Sequence, residues 1–191
     1  MLENVFKFRY KIMHDELSFI QPTHDKQEID EYDHYSDQFA VLNPEGNICA
    51  VIRLIHHSPI GYPTQQHCNF HPDEQHYEQQ HSAELSRIFI DPVYRNMRDT
   101  KTFIRGLVLD AAYPKMKEYG VKQCYGSLEK TFLKLVNMIR IPYKSIGDAQ
   151  YYLGANRYPS ILTTDELEAC NPELLKTPQS QNNHTSKQLH T

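Results

Sequence analysis

Residues 84–92 read Glu84-Leu85-Ser86-Arg87-Ile88-Phe89-Ile90-Asp91-Pro92, and the reading of the fold turns on them. Glu84–Ile90 has the apolar and aromatic content of a strand, and Asp91-Pro92 stops it. In a regular strand, residues three apart point to opposite faces. Glu84 and Arg87 therefore share a site only if the strand is bulged between them. Bulges gather near active sites, where they re-aim side chains and free backbone N–H groups. The plainer reading is two independent surface charges.

Working upstream, Gln38–Leu42 and Asn47–Ile55 are β-like runs separated by Asn43-Pro44-Glu45-Gly46, a hairpin signal. Before them, residues 3–18 set Val5, Phe8, Ile12 and Met13 at helical spacing with Arg9 beside them. Residues 20–36 are polar and read as a loop, and 56–82 read as irregular and His-rich. Downstream, 100–119 is helical, with Phe103, Leu107, Val108 and Ala111 on one side. Pro114 is expected to kink or end that helix, because it lacks a backbone donor. Val121–Ser127 is a short strand and Glu129–Arg140 another helix. Two short strands flank Gly147–Asn156, and Thr163-x-x-Glu166 offers a capping box for a last helix. The order suggests a mixed α/β (α+β) sheet with helices on its faces. Residues 1–175 read as one domain. The tail 176–191, KTPQSQNNHTSKQLHT, has one Leu and no aromatic residue, so it is expected to be flexible and outside the chemistry.

Composition sets the bounds. A chain of 191 residues with 39% hydrophobic residues, 13 Tyr and 8 Phe can build a core. It holds no run of about 20 apolar residues, so no transmembrane segment is expected. Glu3, Lys7, Arg9, Lys11, Asp15 and Glu16 interrupt any signal-peptide core near the start. The net charge of -4 lacks the basic footprint of a nucleic-acid binder. Four scattered cysteines form no disulfide scaffold and fit a reducing cytoplasm.

Four features carry potential chemistry. Glu28-Ile29-Asp30-Glu31-Tyr32-Asp33 is an acidic cluster, either a solvated loop or a grip for a cation, an ammonium or Arg side chains. Arg53 sits inside an apolar run, either on an open strand face or buried and in need of a carboxylate. Glu84 and Arg87 are the third feature. Arg95, Arg98, Lys101 and Arg105 open the long helix, either as a basic surface turn or as a phosphate site. His56, His57, His67, His71, His76 and His81 surround Cys68 without a regular metal-ligand spacing, so no metal is expected. Cys124, inside a strand, reads as an inert buried thiol.

Arg9, Asp30-x-x-Asp33, Arg53-Leu54, Phe70 and Glu84-x-Ser86-Arg87 occur in that order. Tyr125-Gly126-x-Leu128-Glu129, Ile146-Gly147 and Tyr152-x-Gly154-x-x-Arg157-Tyr158-Pro159 follow. Over roughly residues 5–175 this pattern resembles the autoinducer synthases that make N-acyl-homoserine lactones. It more closely resembles the long-chain N-acyl amino acid synthases, including those associated with exosortase gene clusters. All are GNAT-like acyltransferases.

The resemblance implies a mostly antiparallel twisted sheet with a bulged, splayed central strand and a V-shaped cleft for pantetheine. It implies catalytic Glu84, Ser86 and Arg87, and substrate-binding Arg9, Phe19, Asp30, Asp33, Arg53 and Phe70. Of these, Arg9, Asp30, Asp33, Arg53, Glu84 and Arg87 would form one charged network. Donor or carrier contacts fall on Arg95, Arg98, Thr100, Lys101 and Arg105. No bound cofactor is implied: an acyl-phosphopantetheine, on acyl carrier protein or CoA, is the donor substrate, and a small-molecule amine is the acceptor. Apolar residues such as Phe103, Leu107 and Phe132 line the acyl tunnel or, more simply, the core.

Phe19 and Met13 stand where the autoinducer synthases carry aromatic residues, a Trp in the first case. Residues 95–100 lack the glycines of an acetyl-CoA pyrophosphate loop. These departures weigh against homoserine-lactone synthesis and against acetyl-CoA as donor. An autoinducer synthase using S-adenosylmethionine stays open as an alternative, as does a non-catalytic acyl-binding module.

Overall fold

Alternation along one strand explains how the layers assemble. In β2 (Ile48–His56), Ala50, Ile52 and Leu54 enter the core on one face, while Val51 packs with Val5, Phe8 and Ile12 on the other. A strand covered on both faces reads as a continuous apolar run, and this one does. The computed structural model describes residues 1–72 and 78–176, together with the backbone of 186–189.

Helix α1 (Leu2–Tyr10) covers one face and continues as π-helical turns through Lys11–Glu16. The polar loop that follows contains a 3₁₀ turn, Glu31–Tyr35, and leads into β1 (Ser36–Leu42), which pairs antiparallel with β2 through the expected hairpin. Residues 56–82 are not wholly irregular. Pro63 opens a short helix, α2 (Pro63–His67), at the position where its missing N–H costs nothing. Strand β3 (Ser82–Ile90) comes next, then α3 (Met97–Arg105). Pro114 does not end the long helix. The chain runs as a π-helix over Gly106–Ala112 and resumes as α4 (Tyr113–Glu118), so the proline falls at the seam between two hydrogen-bond patterns. Strand β4 (Gln123–Leu128) and helix α5 (Lys130–Met138) follow. Three strands, not two, come next: β5 (Lys144–Ser145), β6 (Gln150–Tyr152) and β7 (Ala155–Thr163). Thr163 then caps α6 (Thr164–Cys170) by accepting from the Glu166 N–H.

Among the described residues the sheet order is β5-β7-β4-β3-β2-β1-β8, with β6 added on β7. Strand β8 (Ser186–Leu189) lies within the compositionally polar tail and pairs antiparallel with Gln38–Val41, on the edge that β1 offers. All pairings are antiparallel except β3 with β4, whose parallel register runs only from Ser82–Gln123 to Glu84–Tyr125. Beyond that row the two strands part, and the sheet opens. No helix among the described residues is long and apolar enough to cross a membrane.

The β6–β7 turn fixes one wall of that opening. Leu153 and Gly154 both have positive φ, as a two-residue type I′ turn requires, and a Cβ on Gly154 would come 2.1 Å from the Phe19 ring. Gly154→Ala should therefore cost about 2 kcal/mol or more, through strained φ and overpacking. Thermal denaturation reads the loss, and an unchanged melting temperature would show that Phe19 is not pinned by this turn.

Candidate active site

The acidic loop is not a solvated one. Its backbone is tied to α1 by the Glu28 N–H, which donates to the Phe6 carbonyl at 3.1 Å. Asp30 accepts from the Tyr32 N–H at 3.0 Å, and Asp33 accepts from the Asp30 N–H at 2.8 Å. The D-x-x-D spacing is thus a capping box for the 3₁₀ turn, and it leaves the remaining carboxylate lone pairs facing the sheet.

Three arginines meet them. Arg9 forks onto Asp33 at 2.7 and 3.0 Å and bonds Glu28 at 2.5 Å. Arg53 forks onto Asp30 at 2.6 and 3.0 Å and lies 3.0 Å from Asp33. Arg87 bonds Glu28 and Asp30 at 2.8 and 2.9 Å. Each guanidinium touches two carboxylates and each carboxylate two guanidinia, so six side chains close a ring. Arg9 and Arg53 are fully buried, which is tolerable only because the pairing is bidentate and balanced. Burial alone would raise Glu28, but the charges of Arg87 and Arg9 outweigh it and hold the carboxyl at about 2. Asp33 likewise lies well below the usual carboxylate range, where Arg53 and Arg9 overcome its burial.

The ring corrects the network implied by resemblance: its third carboxylate is Glu28, not Glu84. Gln38, Arg53 and Ser86 share one register row, and Arg53 Nε donates to the Ser86 hydroxyl at 2.9 Å. Glu84 sits two rows away, opposite Ile55 and Tyr125. Arg87 reaches the ring because the strand is bulged there. Arg87 and Ile88 together oppose the single residue Ile52, and Arg87 takes φ +53°. A non-glycine residue in this region costs about 1–3 kcal/mol and marks a place where geometry is imposed by function or packing.

Glu84 is 2% exposed, and the Thr64 N–H of α2 donates to its Oε2 at 2.9 Å. Burial pushes its carboxyl up to about 7, opposed only in part by Thr64 and by the charges of Arg53 and Arg87. The Thr64 hydroxyl in turn lies 2.8 Å from the Ser127 hydroxyl of β4. A carboxyl that titrates near neutrality can take a proton from a substrate at physiological pH.

A cavity of about 480 Å³ opens where β3 and β4 part, with Glu84 on its wall. Strand β3 lines it from Glu84 through Ile90, so Ser86 and the bulge face it. Leu128, Phe132 and Leu135 supply the opposite apolar side, and Ile12, Met13, Leu17 and Phe19 close it from the first helix. Tyr152 and Arg157 complete the wall near Phe19.

The profile of the acetyltransferase (GNAT) domain matches residues 8–105, just over half of the chain, including the ring arginines and the bulged strand. The chain belongs to the GNAT acetyltransferase family. No curated protein matches it. Its fold is similar to TofI, solved in a ternary complex with an inhibitor and MTA, at 17% identity and a TM-score of 0.64, over 90% of this chain and 91% of that one. It is similar to BjaI, a CoA-dependent acyl-homoserine lactone synthase solved with SAM and isopentyl-CoA, at 15% identity and a TM-score of 0.61, over 96% and 86%. A GNAT acetyltransferase from Staphylococcus aureus Mu50 aligns at 17% identity and a TM-score of 0.52, over 84% and 91%.

In this GNAT chain the other residues singled out in the sequence divide between the cavity and elsewhere. Phe19 and Thr100 line the cavity, as does Arg95, which pairs with Glu16 and donates to the Ile90 carbonyl at 2.8 Å. Arg98 is exposed and Lys101 half-buried on α3, and neither lines the cavity. Arg105 points away from it, donating to the Ile139 carbonyl at 2.7 Å and to Asn171 at 3.1 Å. Phe70 also lies outside the wall, stacked on Tyr125 in a separate aromatic cluster. Phe132 lines the cavity, whereas Phe103 and Leu107 belong to the core. Cys124 is fully buried, and burial raises its thiol.

The histidines disperse: His56 stacks on Tyr119, His67 on Tyr152, and His71 faces Asp148. His76 lies outside the described residues.

For three residues of the site the sequence assigns no place. Glu28 belonged to the acidic cluster, and Arg157 to the C-terminal pattern, but neither carried a role. Thr64 followed the one available signal, Pro63 as a helix opener.

Proposed function

We propose that this chain is an N-acyltransferase that moves a fatty acyl group from a phosphopantetheine thioester to the amine of an amino acid. The observation that carries this reading is Glu84, a buried carboxyl titrating at about 7 on the wall of an apolar cavity. The volume falls in the range of small-ligand pockets, about 300–1,000 Å³. Glu84 takes a proton from the acceptor ammonium, directly or through a water. The freed amine attacks the thioester carbonyl carbon. A C–N bond forms, the C–S bond breaks, the departing thiolate takes up the second proton released by the nitrogen, and Glu84 returns its own proton to solvent. The bulge at Arg87–Ile88 holds backbone amides out of ladder register beside the reacting carbonyl, where a donor to the oxyanion is worth about 3–4 kcal/mol. The ring of arginines and carboxylates fixes the bulge, and Ser86 is tied to Arg53. That BjaI was solved with SAM and isopentyl-CoA supports a thioester donor in this kind of cleft.

Mass spectrometry of lipid extracts from cells overproducing the protein, against a Glu84→Gln control, tests the reading. N-acyl amino acids absent from the control are expected. Acyl-homoserine lactones instead would replace the acceptor with S-adenosylmethionine, and the absence of any new amide would overturn acyl transfer to an amine.

The donor's carrier is read at the outer turn of α3. Arg95 is engaged by Glu16, so attraction of an acidic acyl carrier protein falls on Arg98 and Lys101. Arg98→Glu with Lys101→Glu should raise KM for a carrier-bound donor about tenfold, in a salt-dependent way, and leave KM for a short pantetheine thioester unchanged. Equal effects on the two donors would argue against carrier docking there.

A further inference from the structure

The acceptor's carboxylate needs a cation, and the ring cannot supply one. Arg9, Arg53 and Arg87 each already hold two carboxylates. Arg157 of β7 is placed differently. Its Nε and Nη2 donate to the carbonyls of Tyr152 and Leu153 at 3.1 and 3.3 Å, which fixes the plane of the guanidinium against the β6–β7 turn. The Phe19 ring packs 5.7 Å from its Cζ. Among the described residues its carboxylate neighbour is Glu129, 3.4 Å from Nη2 and 44% exposed, whereas Arg157 itself is 17% exposed. Nη1 meets no protein acceptor among the described residues. The guanidinium is thus largely buried with one loose carboxylate partner, and its unpartnered Nη1 is not a buried atom, so it stays open to a ligand; burial lowers the pKa of the group.

Arg157 and Glu84 line the same cavity. The cavity thus presents a proton acceptor and a cation with room for a further anion, the complement of a zwitterion with its amine and carboxylate on one carbon. We propose that Arg157 is the specificity-determining residue for the acceptor, gripping the α-carboxylate of an amino acid whose amine faces Glu84. This inference rests on the reading of the protein as an N-acyltransferase, and it deepens that reading by assigning what selects an amino acid over a simple amine.

The test uses decanoyl-CoA as donor and pairs each amino acid with its decarboxylated amine, phenylalanine with phenethylamine and leucine with isopentylamine among them. Thiol release gives kcat/KM for each. Wild-type protein should favour the amino acid over its amine by about 10- to 100-fold, the worth of a charge-assisted pair. Arg157→Gln should bring the ratio to within about threefold, and Arg157→Lys should restore part of it. A role confined to bracing the β6–β7 turn would slow both acceptors alike and leave the ratio unmoved, and that result overturns the inference. A wild-type protein that forms amides but prefers the amines also overturns it, while leaving acyl transfer intact. A wild-type protein that acylates no acceptor overturns both readings.

Discussion

Glu84→Gln is expected to cut turnover by roughly 100- to 10,000-fold, the usual contribution of a positioned general base, while the fold persists. Glutamine keeps the size of the side chain and can still accept from the Thr64 N–H, so the geometry around α2 survives. What it loses is the proton acceptor. The wild-type kcat/KM should rise as pH passes through about 7, because the base works only when ionised, and the variant should lack that limb. Stability moves the opposite way. The folded carboxyl titrates near 7 against an ordinary 4.5, so the unfolded state ionises first. The resulting penalty is absent below about pH 4.5, grows through the interval, and is complete above 7. At 1.36 kcal/mol per pKa unit it amounts to about 3 kcal/mol. Glu84→Gln should therefore match the wild type in acid and exceed it in stability at pH 8. Retained turnover would remove Glu84 as the base. Lost turnover without the alkaline gain in stability would mean that the carboxyl is not held near neutrality by burial.

Much of this is legible in the amino-acid sequence. The hairpin, the long helix and the strand at Glu84–Ile90 follow from period and turn chemistry, and the chain folds accordingly. Arg53 in an apolar strand, if buried, needs a carboxylate; it is buried, and the acidic loop supplies two. The identity of the third ring carboxylate was not legible. It depends on a strand bulge that turns Arg87 out of alternation, and on the loop that brings Glu28 against it, while Glu84 lies opposite Ile55 and Tyr125. Nothing in a one-dimensional spacing separates a carboxylate that faces arginines from one that faces Ile55 and Tyr125. Pro114 shows a second limit. A proline forbids one hydrogen bond of an α-helix, but a π-helical stretch moves the seam to where that bond is not required. Arg105 shows a third: a helix has several faces, and this residue lies on the one that meets Asn171, away from the cavity.

Arg53→Ala is the harsher change for the fold. It removes the cation from between Asp30 and Asp33 and leaves three carboxylates facing two guanidinia in a largely buried ring. Breaking a buried ion pair from one side costs about 3–5 kcal/mol, a large part of the roughly 5–15 kcal/mol that holds a domain together. At about 2–4 °C per kcal/mol for a chain of this size, the melting temperature should fall by roughly 6–20 °C. Arg53→Met combined with Asp30→Asn removes one charge of each sign and should recover most of the loss, because the deficit comes from imbalance more than from the missing contact. Acid provides the independent reading. Glu28 and Asp33 are held below their ordinary values, so their contribution is complete above about pH 4.5 and disappears as pH falls towards 2. Arg53 is the leading cation acting on Asp33, and its removal should flatten that acid-side slope. A variant with the wild-type melting temperature and the wild-type acid profile would show that the ring contributes no net stability. The bulge at Arg87 would then have to be held by the apolar packing of β3 against its neighbours.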